Sequence, residues 1–297
     1  IIWAIIGAAM SVVFRLQLGF PEESMAWLKP VLGKWITLND GVGTLAPEFY
    51  YALVTMHGTI LVFFVLTAGL SGTFSNLLIP LQLGARDMAS PFLNMLSYWF
   101  FFFSGVIMMY SLFLNTGPFS GGWTAYPPLS ALPQASSGSG AGMTLWLVSL
   151  TLFVVSVLLG GINYVTTVLN LRTKGMSMWR MPLTIWAFFV TAILGILSFP
   201  VLVSGFFMLM MDRGLGTSFF LNEIFIEGQA LERIGGTPVL YQHLFWFLGH
   251  PEVYIIILPA MGLASEVLSV HARKPIFGYR AMVYSILAIG FLSFIVW

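Results

Sequence analysis

Seven stretches of this chain are long and apolar enough to cross a bilayer, at about 1–18, 48–80, 92–115, 143–170, 183–211, 238–268 and 281–297, against a threshold of roughly 20 residues per span. Charged residues make up only 8% of the sequence and the apolar classes 58%, a balance that no soluble domain of this length would show. The chain is therefore expected to be an integral membrane protein of the all-α class, a polytopic helix bundle with the lipid bilayer as its surroundings and no nucleic-acid partner. It opens at Ile1 inside an apolar pattern, without an initiator methionine, and reaches Trp297 with that pattern still running. A single transmembrane domain over 1–297, cut at both ends from a longer subunit, is the expectation. No signal peptide or soluble domain is visible, and the absence of cysteine excludes a disulfide or a thiolate metal site within the chain.

The connections between spans fall into two sets on alternate sides. One carries Arg86, Arg172, Lys174, Arg180, Arg273, Lys274 and Arg280. The other carries Lys29, Lys34, Arg213 and Arg233, together with the acids Glu22, Glu23, Asp40, Glu48, Asp212, Glu223, Glu227 and Glu232. Because cytoplasmic loops are enriched in Lys and Arg, the first set is placed in the cytoplasm. The charge-free segment Thr116 to Gly142, rich in Gly, Pro and Ser, reads either as a connector with interfacial aromatics or as a lid over something bound near the outer surface. The polar loop between Asp212 and Pro238 reads as a solvated excursion.

Within the spans the informative residues are the polar ones. The run Gly249-His250-Pro251-Glu252-Val253-Tyr254 sets a histidine, a carboxyl and a phenol in an otherwise apolar segment. An ionisable group at such depth costs roughly 2.5 to 3.5 kcal/mol, so this grouping points to a reactive site, with a buried hydrogen-bonded packing cluster as the structural alternative. On a helix His250 and Tyr254 share a face, whereas Glu252 lies about 200° round from His250, so one turn can serve two chambers. Imidazole suits copper, but a stable site needs about three protein ligands, so the partners of His250 must come from another chain or from beyond Trp297. Pro251 lacks an amide and crowds the carbonyl of Phe247, which predicts a locally weakened helix.

His57, in the second span, is a candidate haem ligand with Gly58 permitting close approach. His243 reads as an interfacial hydrogen-bonding residue and His271 as a surface one. Arg15 is either a snorkelling anchor or the partner of a polar group on a cofactor. A carboxyl in low-dielectric surroundings favours its neutral form, so Glu252 can hold a proton and release it when nearby charge changes. Asp87, with Asn76, Asn94, Ser97, Ser156, Asn163 and Asn170 along neighbouring helices, reads as a supply line toward it, although each Asn alone is more often a helix-helix hydrogen-bonding residue.

The blocks Tyr241-Gln242-His243-Leu244-Phe245-Trp246 and Gly249 to Tyr254, with Gly278-Tyr279-Arg280, Phe294-Ile295-Val296-Trp297, Trp123 to Pro128 and Asp87-Met88-Ala89, resemble subunit I of the haem-copper oxygen reductases, the kind typified by cytochrome c oxidase. The resemblance runs along essentially the whole chain. It implies a larger subunit of which about seven of about twelve helices are present, each of roughly 20 residues. It also implies that His250 is a copper ligand, that Tyr254 is the phenol joined to it and supplies an electron and a proton to dioxygen, and that Glu252 is the internal proton donor. Asp87 becomes the entrance of the proton channel, with Asn76, Asn94, Ser97, Ser156, Asn163 and Asn170 as channel residues. His57 becomes an axial ligand of a low-spin haem, Arg15 the partner of its formyl group and Trp123 a neighbour of the propionates. Val157 departs from the pattern, since many relatives carry a second serine beside Ser156, and proton delivery there would rely more on water.

The function so implied is the core of a terminal respiratory oxidase that reduces dioxygen to water and pumps protons, with a low-spin and a high-spin haem of the A type and copper as cofactors. Its partners would be cytochrome c and oxidase subunits II and III, its location a bacterial inner membrane. The fragment alone would be inactive, because further copper and haem ligands are expected beyond Trp297. A quinol oxidase is the alternative within the family. Such relatives carry polar residues where this chain has Ile6, Met10, Phe49 and Ala52, which favours cytochrome c as the donor. Nitric oxide reductases lack the counterpart of Tyr254. From another class, a cofactor-free proton or ion transporter would use Asp87, Glu252 and the asparagines but would have no need of Tyr254 or His57.

Overall fold

The computed structural model describes residues 1–226, 228–230 and 235–296. Glu227, Glu232, Arg233 and Trp297, which entered the charge and motif readings, lie outside the described residues. Seven described helices have the length and hydropathy of membrane spans: α1 (Ile2–Gly19), α2 (Pro47–Leu83), α3 (Pro91–Phe113), α4 (Ala141–Asn170), α5 (Leu183–Gly214), α6 (Pro238–Ala272) and α7 (Tyr279–Val296). The protein is an all-α polytopic bundle, and each helix falls within a few residues of the apolar stretch that predicted it. The helices run through Pro80, Pro200, Pro251 and Pro259 without a break. The middle of α2, Ile60–Thr73, is wound as a π-helix, with hydrogen bonds one residue longer than in an α-helix. Nothing in the apolar pattern forecasts this.

The chain gathers into two compact units. The first comprises 1–65, 106–149 and 208–241. Here α1 approaches α2 at Gly7, where a Cβ atom would lie 2.7 Å from Leu61 Cδ2. The connection between them holds a small antiparallel hairpin of β1 (Ile36–Asn39) and β2 (Val42–Leu45). Its two-residue turn is Asp40-Gly41, both at positive φ, the backbone that a tight hairpin with right-handed strand twist requires. Gln17 Oε1 accepts from Leu45 N at 2.7 Å, and Trp35 stacks on Phe49 at 4.8 Å, so the hairpin is tied to the ends of α1 and α2. A second, shorter antiparallel pair is formed by β3 (Phe225–Ile226) and β4 (Gln229–Ala230).

The second unit comprises 66–105, 150–207 and 242–297. Small residues set its helix spacings, as expected where lipid is as apolar as leucine and close van der Waals packing drives association. A Cβ on Gly262 of α6 would meet Thr184 Cα of α5 at 2.8 Å, and one on Gly290 of α7 would meet Val190 Cγ1 at 2.6 Å. Gly161 of α4 faces Ile196 of α5. Phe101, Phe153 and Phe199 form an aromatic chain. Tyr279 fastens the start of α7 by donating to Met181 O at 2.6 Å and accepting from Trp186 Nε1 at 3.1 Å.

Candidate functional site

The first cluster of functional candidates lies on α2 in the first unit. Pro47 stands in the first turn, where its missing amide costs nothing, with Glu48 beside it to favour the helix start. Two turns on, Thr55 and Thr59 flank His57 at two residues on either side. Each hydroxyl donates to the carbonyl four residues earlier, Tyr51 O and Thr55 O, both at 2.8 Å. Each also accepts from a distant segment, Thr55 from Gly122 N at 2.9 Å and Thr59 from Trp146 Nε1 at 3.0 Å. These bonds hold the loop 116–140 and the start of α4 against the His57 turn. Gly58 completes the fit, since a Cβ there would lie 3.4 Å from Trp123 Cδ1.

His57 Nδ1 bonds Gly7 O at 2.8 Å. A carbonyl can only accept, so Nδ1 carries the hydrogen and Nε2 is left with its lone pair, the tautomer a metal-ligating histidine needs. Phe14 meets the imidazole edge-on at 5.6 Å, which fixes the ring plane. Arg15 is exposed, with Nε donating to Ser11 Oγ at 2.8 Å. Gly7, Phe14, Thr55 and Thr59 carry no mark in the sequence that singles them out; the only signal for the threonines is their spacing about His57.

The second cluster lies on α6 in the second unit. The rings of His250 and Tyr254 are in edge contact at 4.7 Å with an interplanar angle of 67°, as their four-residue spacing predicts. His250 Nε2 is buried and has no hydrogen-bond partner among the described residues. Such an atom is costly unless a bound group takes its lone pair, and copper fits an imidazole nitrogen. Among the described residues no three His, Cys, Asp or Glu side chains converge, so His250 would need ligands from elsewhere. Glu252 is 1% exposed; Thr67 of α2 donates its hydroxyl to Oε1, and Oε2 is buried without a partner among the described residues.

The residues of the expected supply line divide into several local arrangements. Asp87 is exposed and its Oδ1 accepts from Met88 N at 2.7 Å, closing the turn that leads into α3. Buried Asn163 of α4 bridges Ser90, accepting from its amide at 2.8 Å and donating to its carbonyl at 3.0 Å. Ser156 donates to Ser97 O at 2.6 Å, and Ser97 to Asn94 O at 2.8 Å. Those side chains fasten α3 to α4. Asn76 donates to Gly72 O at 2.6 Å and to the Tyr164 hydroxyl at 2.9 Å, and its Oδ1 is buried with no partner among the described residues. Asn170 is exposed at the end of α4.

Over residues 1–297 the sequence matches the family described as Cytochrome C and Quinol oxidase polypeptide I. The chain belongs to that family. It is similar to the alternative cytochrome c oxidase subunit 1 of Bradyrhizobium diazoefficiens, 46% identical over 293 residues that cover 99% of this chain and 46% of the relative. It is likewise similar to cytochrome c oxidase subunit 1 of Synechocystis sp., 50% identical over 252 residues covering 84% of this chain and 42% of the relative. The chain thus spans just under half the length of these oxidase relatives. Haem and copper are the cofactors that membership of this haem-copper family implies. Within this oxidase polypeptide, Thr67, Tyr164 and the pair Gln82–Glu266, bonded at 2.6 Å, are polar features beyond those expected from the sequence. Glu266 was detectable as an acid inside an apolar segment, and Thr67 as the first of three hydroxyls spaced four apart with Ser71 and Ser75.

Proposed function

We propose that this chain forms the core of a terminal respiratory oxidase which, as the full-length subunit, reduces dioxygen to water with electrons from cytochrome c and pumps protons across a bacterial inner membrane. The observation that carries the reading is the α6 turn, where a buried imidazole nitrogen with no partner among the described residues and a phenol share one face while a buried carboxyl occupies another. When bound, haem iron and copper supply the electrons and the Lewis-acid chemistry of dioxygen reduction. His250 Nε2 would hold copper, and His57 Nε2 the iron of the low-spin haem, with the haems of the full subunit being of the A type. Arg15 would receive the low-spin haem's formyl group and Trp123 its propionates.

The protein's own groups then have distinct tasks. The Tyr254 phenol, in contact with the His250 ring, is placed to give up an electron and a proton. Glu252 holds a proton at its carboxyl, buried away from bulk water, and passes it on from Oε2. Asp87 collects protons at the cytoplasmic surface, and Asn76, Asn94, Ser97, Ser156, Asn163 and Asn170 line the way, with water between the groups whose own hydrogen bonds end on carbonyls. Oxidase subunits II and III would complete the complex. Cytochrome c is favoured over a quinol because none of the side chains of Ile6, Met10, Phe49 and Ala52 can hydrogen-bond a quinone head group, and Met10, Phe49 and Ala52 are buried, Phe49 stacked against Trp35.

The test uses the full-length subunit in its assembled holoenzyme. Glu252→Gln should stop proton-coupled oxygen consumption while the haem spectrum stays near that of the parent, and His57→Ala should remove the low-spin haem signal. Normal oxygen consumption in the first variant, or an unchanged spectrum in the second, would sink the corresponding assignment.

A further inference from the structure

The one hydrogen-bond partner described for the Glu252 side chain comes from α2. On that helix Thr67, Ser71 and Ser75 follow at four-residue intervals; Ser75 Oγ donates to Ser71 O, and Ser71 Oγ donates to Thr67 O. Both donations end on carbonyls, which accept a hydrogen bond but do not pass a proton along, so this ladder is not a proton wire. It fixes backbone instead. In the π-wound part of α2 each amide reaches the carbonyl five residues back, and a hydroxyl bonding the carbonyl four back adds a second restraint on the same turn. Thr67 itself is fully buried, with its Oγ1 donating to Glu252 Oε1.

The consequence for the carboxyl is an asymmetry between its two oxygens. Oε1 accepts the Thr67 hydroxyl, and Oε2 has no partner among the described residues. The donor from α2 thus fixes the orientation of the carboxyl and leaves Oε2 as the oxygen open to another group. On α4 the neighbour of Ser156 is Val157, whose side chain has no hydrogen bond to offer, and Ser156 spends its own hydrogen on Ser97 O. We propose that Thr67 is a positioning residue for Glu252, clamping Oε1 through its hydroxyl so that Oε2 faces the transfer path. The proposal deepens, and for its consequence in turnover rests on, the reading of Glu252 as the internal proton donor.

The experiment compares Thr67→Val, which keeps the shape and removes the hydroxyl, with Thr67→Ser in the full-length holoenzyme. Infrared difference spectroscopy reads the carbonyl stretch of the Glu252 carboxyl, identified as the band that Glu252→Gln abolishes. Thr67→Val should move that band to higher wavenumber and slow proton transfer about three- to tenfold, as expected for one net hydrogen bond. Thr67→Ser should keep the band in place, and the haem spectrum should be unaltered in both. An unmoved band in Thr67→Val overturns the proposal. If Thr67→Val does not assemble, Thr67→Cys, with its weaker donor, should shift the band in the same direction by less, and an unmoved band there overturns the proposal equally. Full oxygen consumption in Glu252→Gln would instead remove the proton-donor reading, while the band position in the Thr67 variants still decides whether the clamp exists.

Discussion

At the residue scale, the neighbours Asp212 and Arg213 at the end of α5 organise two loops. Asp212 accepts from Thr217 Oγ1 at 2.6 Å, Phe219 N at 2.8 Å and Phe220 N at 2.9 Å. Arg213 donates to Ser130 O, Ser139 O and Gly140 O at 2.5, 2.6 and 2.7 Å, and to Thr144 Oγ1 at 3.2 Å. The segment it holds is the charge-free loop that also carries Trp123. Hydrogen bonds to a charged group contribute about 1.5–3 kcal/mol each, and truncation leaves the carbonyls unpaired. Arg213→Gln should therefore expose residues 130–140 to amide exchange at least tenfold faster than in the parent. Arg213→Lys should restore little of this protection, because a compact ammonium cannot span a fork of carbonyls. Equal exchange in parent and variant would show that Arg213 does not hold the loop. In the sequence Arg213 counts only as one loop cation; its role depends on which carbonyls the chain brings to it.

At the element scale, the helix boundaries follow from apolar runs, because a residue's depth in a membrane is a local property of its side chain. The partner of each helix is not. Gly262 illustrates the difference, since glycine within an apolar helix is common, yet this one lets α6 approach the α5 backbone at Thr184. Gly262→Ala should cost about 1–3 kcal/mol by overpacking and lower the thermal unfolding midpoint measured in detergent. Gly19→Ala serves as the comparison, because no atom of the described residues lies within 4 Å of the place its methyl group would take, and it should not lower the midpoint. A midpoint lowered equally by both changes would show that the close approach at Gly262 does not limit the packing. The π-wound stretch of α2 is the other feature not legible in the pattern, since its composition, rich in Leu, Val and Gly, suits an α-helix equally well.

At the scale of the whole molecule, cytochrome c is the proposed electron donor. The full-length oxidase should consume oxygen with reduced cytochrome c and not with a ubiquinol, as measured with an oxygen electrode on purified enzyme. Rapid uptake with the quinol alone would reverse the donor assignment and point to a head-group site away from Met10, Phe49 and Ala52. The contacts that shape the candidate sites likewise link distant positions. Thr67 and Glu252 are 185 residues apart, Arg213 and Ser130 are 83 apart, and His57 reaches Gly7 across 50.

By itself the amino-acid sequence determined the class of the protein, its seven spans and the pairing of His250 with Tyr254, because hydropathy and the 3.6-residue helical repeat act over a few turns of a single segment. It also placed Glu252 on a separate face of the same helix. Only the tertiary structure decided which hydroxyl clamps Glu252, which carbonyl orients His57 and which loop Arg213 restrains. Those contacts depend on how closely two helices approach, and that distance is set jointly by small residues on both partners rather than by either segment alone.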